Sequence, residues 1–205
     1  MIHAAGQMNH IVCGVLLEPI SRTSTVYVQT TRVQLRLIEK HSNTRRILMP
    51  TGDVSYYNGL GGQCQRAGKF SEAIGHYSKA IEIEPNNPDY RFNRGQCYIK
   101  TEQYKMAVDD FTFVLNKDSN DADSYYNRGL AYQRSGDFQN AHSDFSNAIR
   151  ISPNVAIYYL NRGIVNGALA NKYDAIKDLE YGLQLDPYNP FSEMAKDALA
   201  QIKQL

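Results

Sequence analysis

The sequence predicts an all-α fold, a solenoid of four helical hairpins closed by a C-terminal capping helix, with a short N-terminal extension, β-like or irregular, ahead of it. Three observations predict this. Gly61, Gly95, Gly129 and Gly163 recur at a spacing of 34 residues. Ala73, Ala107, Ala141 and Ala175 do the same and are followed by Tyr77, Phe111, Phe145 and Leu179. Pro85, Pro153 and Pro187 keep that register, with Ser119 in the vacant slot. Self-similarity at such a period marks stacked units, none of which buries its apolar face alone.

Residues 1–53 stand outside the period. Within them "STVYVQTTRVQLRLI" (24–38) alternates apolar and polar residues, which favours strands over helix. A small hairpin on the first repeat, a strand offered to a partner, or an extension without a stable fold of its own all fit. The repeats then occupy 54–87, 88–121, 122–155 and 156–189. The third shows the logic: "DSYYNRGLAYQRS" is a first helix, Gly136-Asp137 breaks it, and "FQNAHSDFSNAIRI" is a second, with Phe138, Ala141, Phe145, Ala148 and Ile149 at helical spacing. Pro153 ends it. A glycine inside the first helix costs about 1 kcal/mol relative to alanine. Without a Cβ it lets the second helix approach closely, and the alanine opposite serves the same contact. In the fourth repeat "GALANKYDAIKDL" has an extra residue before Tyr173, so its helix–helix turn is expected to differ. A capping helix over 190–204 starts from Asn189 as N-cap and Pro190 at the first position. Its stripe of Phe191, Ala195, Ala198, Leu199, Ile202 and Leu205 closes the open end.

A glycine and tyrosine in the first helix, with alanine, aromatic, alanine and proline in the second, resemble the tetratricopeptide repeat family over residues 54 to about 190. The resemblance implies a right-handed solenoid whose first helices line a concave groove, and a non-catalytic protein–protein interaction scaffold or adaptor that holds an extended peptide segment of a partner there. A structural or self-assembling subunit, or an accessory subunit of an enzyme complex, is the alternative.

Charged residues join the ladder. Arg94, Arg128 and Arg162 precede the glycines of repeats two to four, and Asp110, Asp144 and Asp178 follow sixteen residues later. Repeat one has Leu60 and His76 instead, so both charges vanish together. This predicts structural ion pairs within each hairpin: Arg94–Asp110, Arg128–Asp144 and Arg162–Asp178. The candidate groove begins with Asn93, Asn127 and Asn161, whose amides match the N–H and C=O of an extended backbone. Gln96 and Lys100 continue the face of Asn93. Arg66, Lys100 and Arg134 form a cationic ladder, replaced by Ala168 in repeat four, and Phe92, Tyr126 and Leu160 add apolar footholds. The groove would suit an acidic and apolar partner segment. A clamp for the acidic C-terminal tails of chaperones is not expected, because of the matching positions Asn58, Gly62, Asn93, Asp123 and Asn127 only Asn93 fits.

Composition narrows the function further. The net charge is +1, with six basic against three acidic residues in 1–53 and sixteen against eighteen afterwards, so neither nucleic acid nor an anionic membrane is an expected partner. Cys13, Cys64 and Cys97 form no CxxC pair and are odd in number, which points to a reducing, cytoplasmic setting. The run "IVCGVLL" is too short to span a bilayer and lacks the basic flank of a secretory signal. The five histidines share no metal-ligand spacing, and no P-loop, GxSxG or HExxH appears. No catalytic residue, metal or cofactor is therefore expected.

Overall fold

The computed structural model describes residues 34–35, 50–51 and 53–204. Gln34–Leu35 (β1) and Pro50–Thr51 (β2) pair antiparallel, Gln34 opposite Thr51 and Leu35 opposite Pro50. The remaining expectations for 1–53 lie outside the described residues. Nine helices follow among those described: α1 Val54–Arg66, α2 Phe70–Ile83, α3 Pro88–Lys100, α4 Tyr104–Lys117, α5 Ala122–Arg134, α6 Phe138–Ile151, α7 Ala156–Ala168, α8 Lys172–Leu185 and α9 Ser192–Gln204.

The helix starts follow from the sequence. Asp53, Asn87 and Asp121, 34 residues apart, each accept a first-turn backbone N–H through the side chain. Val155 stands in the same place before α7 and has no side chain that can do so. Each hairpin turn carries one residue in the left-handed region: Gly68, Glu102, Gly136 and Ala170, with φ of 73°, 61°, 84° and 60°. The next residue's N–H then returns to a carbonyl five residues back, Lys69 to Cys64 at 2.8 Å and Gln103 to Tyr98, Asp137 to Tyr132 and Asn171 to Asn166 at 2.9 Å.

The fourth turn is thus the same as the others, contrary to the expectation from Tyr173. These backbone bonds and a single left-handed residue set the turn, and Ala170 adopts that conformation at a cost of roughly 1–2 kcal/mol. What shifts is the aromatic. Phe70, Tyr104 and Phe138 open their second helices, whereas Lys172 opens α8 and Tyr173 stands 78% exposed.

Each helix packs on the next, and α1 also touches α3 as α3 touches α5, which places the first helices on the inner side of the stack. The core is the predicted one: Ala73, Ala107, Ala141 and Ala175, with Tyr77, Phe111, Phe145 and Leu179, are all buried. The glycine makes room for the larger of the two. A Cβ at Gly61, Gly95, Gly129 or Gly163 would lie 2.6–2.8 Å from the side chain of Tyr77, Phe111, Phe145 or Leu179. At the far end α9 buries Ala195 against Leu160 and Leu179, with Leu199 and Ile202 alongside. Asn189 does accept the Phe191 N–H at 3.0 Å. The helix nevertheless starts at Ser192, and Phe191 lies off the buried stripe, largely exposed.

Candidate functional site

The arginine ladder is a set of forks. Arg94 donates through Nε and Nη2 to Asp110 at 2.8 and 2.7 Å, Arg128 to Asp144 at 2.8 and 2.8 Å, and Arg162 to Asp178 at 2.7 and 2.7 Å. The three carboxylates are buried. The third nitrogen, Nη1, reaches back to the preceding repeat: Arg94 to Ser78 Oγ at 2.9 Å, Arg128 to Thr112 Oγ1 at 3.0 Å and Arg162 to Ser146 Oγ at 3.1 Å. The sequence reading missed these hydroxyls, although they share the 34-residue period and lie sixteen residues before each arginine. Arg91 adds a second cation on Asp110 at 3.3 Å and stacks over the Phe113 ring.

The electrostatics have opposed components. The hydrogen bonds to Asp144 and Asp178 raise the Arg128 and Arg162 guanidinium pKa values against the effect of burial. For Asp144 burial is the larger influence and raises its carboxyl, partly countered by Arg128. The forked geometry is that of an ionised pair, so both partners are charged at neutral pH. These groups hold repeats together and do not face the groove.

The groove residues are less uniform than their spacing. Asn93 is half-buried and makes no hydrogen bond with another described residue. Asn127 donates to the Asp123 carbonyl at 2.8 Å. Asn161 is only 7% exposed and donates to the Ile157 carbonyl at 2.9 Å and the Tyr126 hydroxyl at 3.4 Å. Gln96 accepts from Gln65 at 3.1 Å, and Gln65 in turn accepts from the Tyr77 hydroxyl at 2.8 Å. Arg66, Lys100 and Arg134 are exposed at the ends of α1, α3 and α5, and none makes an ion pair with a described residue.

Of the apolar footholds, Phe92 and Tyr126 are half-buried and lean on the core rings of Phe111 and Phe145 at 5.6 and 5.8 Å. Leu160 is not a foothold. It is fully buried, in the recess that Gly182 leaves and against Leu179 and Ala195. A groove cavity of about 650 Å³ opens where Gly59 and Gly62 replace the larger residues of the later repeats. Asn58, Arg66, Phe70, Tyr77 and Asn93 also line it. Asn58 was missed as a groove residue, and the signal for the opening was the loss of side chains in repeat one.

Among the described residues no cluster of three or more His, Cys, Asp or Glu could hold a metal, and no helix is long and apolar enough to cross a membrane. Burial pushes the Cys97 thiol up to about 11, and chiefly burial pushes the Tyr77 and Tyr126 hydroxyls up to about 12. In the unfolded chain tyrosine deprotonates near pH 10. A folded-state value above that contributes stability that is intact below pH 10 and lost as pH climbs to about 12. The thermal midpoint should therefore hold steady up to about pH 9 and fall steeply over the next three units. Tyrosinate absorbance that develops completely around the unmodified value of about 10 in the folded protein, with no fraction delayed to higher pH, would contradict this.

Two family patterns match the chain, "TPR repeat" over residues 66–102 and "Tetratricopeptide repeat" over 122–155. The chain belongs to the tetratricopeptide repeat family. Sequence comparison with curated proteins finds no match. Solved tetratricopeptide repeat structures agree in fold. MamA 41-end from Desulfovibrio magneticus RS-1 is 21% identical with a TM-score of 0.65, covering 68% of this chain and 79% of its own. TTC0263, a thermophilic TPR protein in Thermus thermophilus, is 20% identical with a TM-score of 0.59 and coverages of 74% and 82%. The first TPR of Spaghetti (RPAP3), solved bound to HSP90 peptide SRMEEVD, is 23% identical with a TM-score of 0.55 and coverages of 57% and 93%. The tetratricopeptide repeat fold is one of protein–protein interaction scaffolds, which are generally non-catalytic.

Proposed function

We propose that the chain is a non-catalytic adaptor that holds an extended, acidic segment of a partner protein across its first helices. The observation that carries this reading is the line of three exposed cations, Arg66, Lys100 and Arg134, which make no ion pair with a described residue, beside the half-buried amide of Asn93 and the adjoining cavity. Cations at these helix ends also complement the helix dipoles, but that interaction leaves their outward-facing N–H groups free. Repeat four presents Ile157, Ile164 and Ala168 on the same face and would take the apolar end of the segment.

The peptide-bound Spaghetti domain supports the idea that this fold accommodates an acidic peptide. We do not assign the same peptide here. Only Asn93 fits the chaperone-tail clamp, and the exposed carboxylates of Asp89 and Asp123 would repel an acidic tail at the opposite ends of α3 and α5. The free thiols of Cys64 and Cys97 fit a reducing compartment.

A random peptide library selected on the protein tests the reading. Asp and Glu should be enriched in the selected peptides, and reversing Arg66, Lys100 and Arg134 together to Glu should weaken their binding by about tenfold or more. Asn93→Ala should weaken it without altering the charge preference. Selection of non-acidic motifs, or equal binding by the charge-reversed protein, would rule it out. The self-assembly alternative draws on Tyr188, Phe191 and Met194, exposed at the start of α9. Light scattering distinguishes it, since a monomer at working concentration removes it.

A further inference from the structure

The cations of the first helices have counterparts of opposite sign on the same helix faces. Residues at i, i+4 and i+11 share one side of an α-helix. That spacing puts Asp89 and Lys100 on one face of α3 with Asn93 between them, and Asp123 and Arg134 on one face of α5 with Asn127 between them. On α1 the same face runs from Ser55 to Arg66, and on α7 from Ile157 to Ala168, so charge is lost at one end in the first repeat and at both ends in the fourth. These faces border one trough. Gly59, Gly62 and Arg66 of α1 line a single cavity with Asn93 of α3, and Tyr158 of α7 donates to the Asp123 carboxylate of α5 at 3.1 Å.

The first helices run in the same direction, so the trough has two chemically different edges. Arg66, Lys100 and Arg134 stand along one. Asp89 and Asp123, both exposed, stand along the other, roughly 16 Å away by helical rise. Neither carboxylate makes an ion pair with a described residue, and the Tyr158 hydroxyl that reaches Asp123 is neutral. A helix end offsets only about half a charge, so each edge keeps the sign of its side chains.

We propose that the trough binds a polypeptide segment of alternating charge, with acidic side chains turned to Arg66, Lys100 and Arg134 and basic ones to Asp89 and Asp123. This rests on the extended-segment reading above and narrows it. Successive side chains of an extended chain point to opposite sides, so acid and base must alternate residue by residue to satisfy both edges. Reach agrees with that assignment. The aspartates are short and call for a long lysine or arginine from the partner, whereas the long cations of the protein can meet short partner carboxylates. The Asn93 amide, between the edges, is left for the main chain. A uniformly acidic segment would turn half its side chains toward the carboxylates, and a uniformly basic one would turn half toward the cations.

Fluorescence anisotropy with the full chain at low salt tests this, using three labelled peptides of equal length. One alternates Glu and Lys, one alternates Glu and Ala, and the third has the Glu and Lys of the first gathered into two blocks. The alternating Glu-Lys peptide should bind roughly fivefold more tightly than either of the others. Asp89→Asn combined with Asp123→Asn, which keeps an acceptor for Tyr158, should cancel its advantage over the Glu-Ala peptide. If the unaltered protein binds the Glu-Ala peptide as tightly as the Glu-Lys one, the proposal falls and the acidic-segment reading stands. Equal binding of the block peptide would overturn it as well, since total charge alone would then be sensed, and so would an advantage that survives in the double variant. Binding of none of the three would sink both readings, and a dimer by light scattering would then give the trough to a second copy of the chain. Should the double variant fail to fold, the alternating and block peptides decide the matter in the unaltered protein.

Discussion

Arg128→Leu is expected to cost about 3–5 kcal/mol of stability, because it leaves the buried Asp144 carboxylate without its fork. Asp144→Leu should cost a similar amount by stranding the guanidinium. The double variant should be no worse than either single one, since replacing a buried pair by apolar groups removes both desolvation penalties. Urea unfolding of the four proteins closes the cycle, and simple additivity would show that the pair is not coupled. Thr112→Val separates the third hydrogen bond from the fork. It should cost only about 1 kcal/mol, the worth of a hydrogen bond whose donor keeps its other partners.

Glycine to alanine should change sign between two positions in the repeat stack. At Gly129 the new Cβ would lie 2.8 and 2.9 Å from ring carbons of Phe145 and 3.3 Å from Asp144 Cβ. Phe145 is fully buried and cannot retreat, so overpacking of about 1–3 kcal/mol outweighs the gain of up to about 1 kcal/mol in helix propensity. At Gly59, also inside a first helix, nothing lies within 4 Å of the added carbon. Gly59→Ala should therefore raise stability by about 0.5–1 kcal/mol. Destabilisation by both, measured by thermal melts, would refute the close-approach account of the glycine ladder.

What could be read from the sequence was what the period repeats by size or charge. The glycine, alanine and aromatic ladders are selected by volume at a crossing, and volume is visible in a residue's identity. The Arg–Asp pairs were legible because both charges disappear together at Leu60 and His76. Ser78, Thr112 and Ser146 were not, since a hydroxyl at a helix surface has many uses and nothing in its identity points to an arginine. Leu160 was misread because its burial depends on Gly182, twenty-two residues further on, whose missing side chain opens the recess. The three asparagines look equivalent as letters, yet Asn161 sinks beside Tyr126 while Asn93 stays open. The fourth turn is not legible from the displaced Tyr173, because main-chain bonds, and not that side chain, determine the backbone path.

Each guanidinium is bound to a hydroxyl sixteen residues upstream and a carboxylate sixteen residues downstream. During synthesis the hydroxyl has already emerged when the arginine does, and the carboxylate has not. A newly made first helix can thus dock on the finished hairpin behind it before its own second helix exists. The bonds would thus let the stack grow in the order in which it is translated, each addition being locked once the next acid arrives.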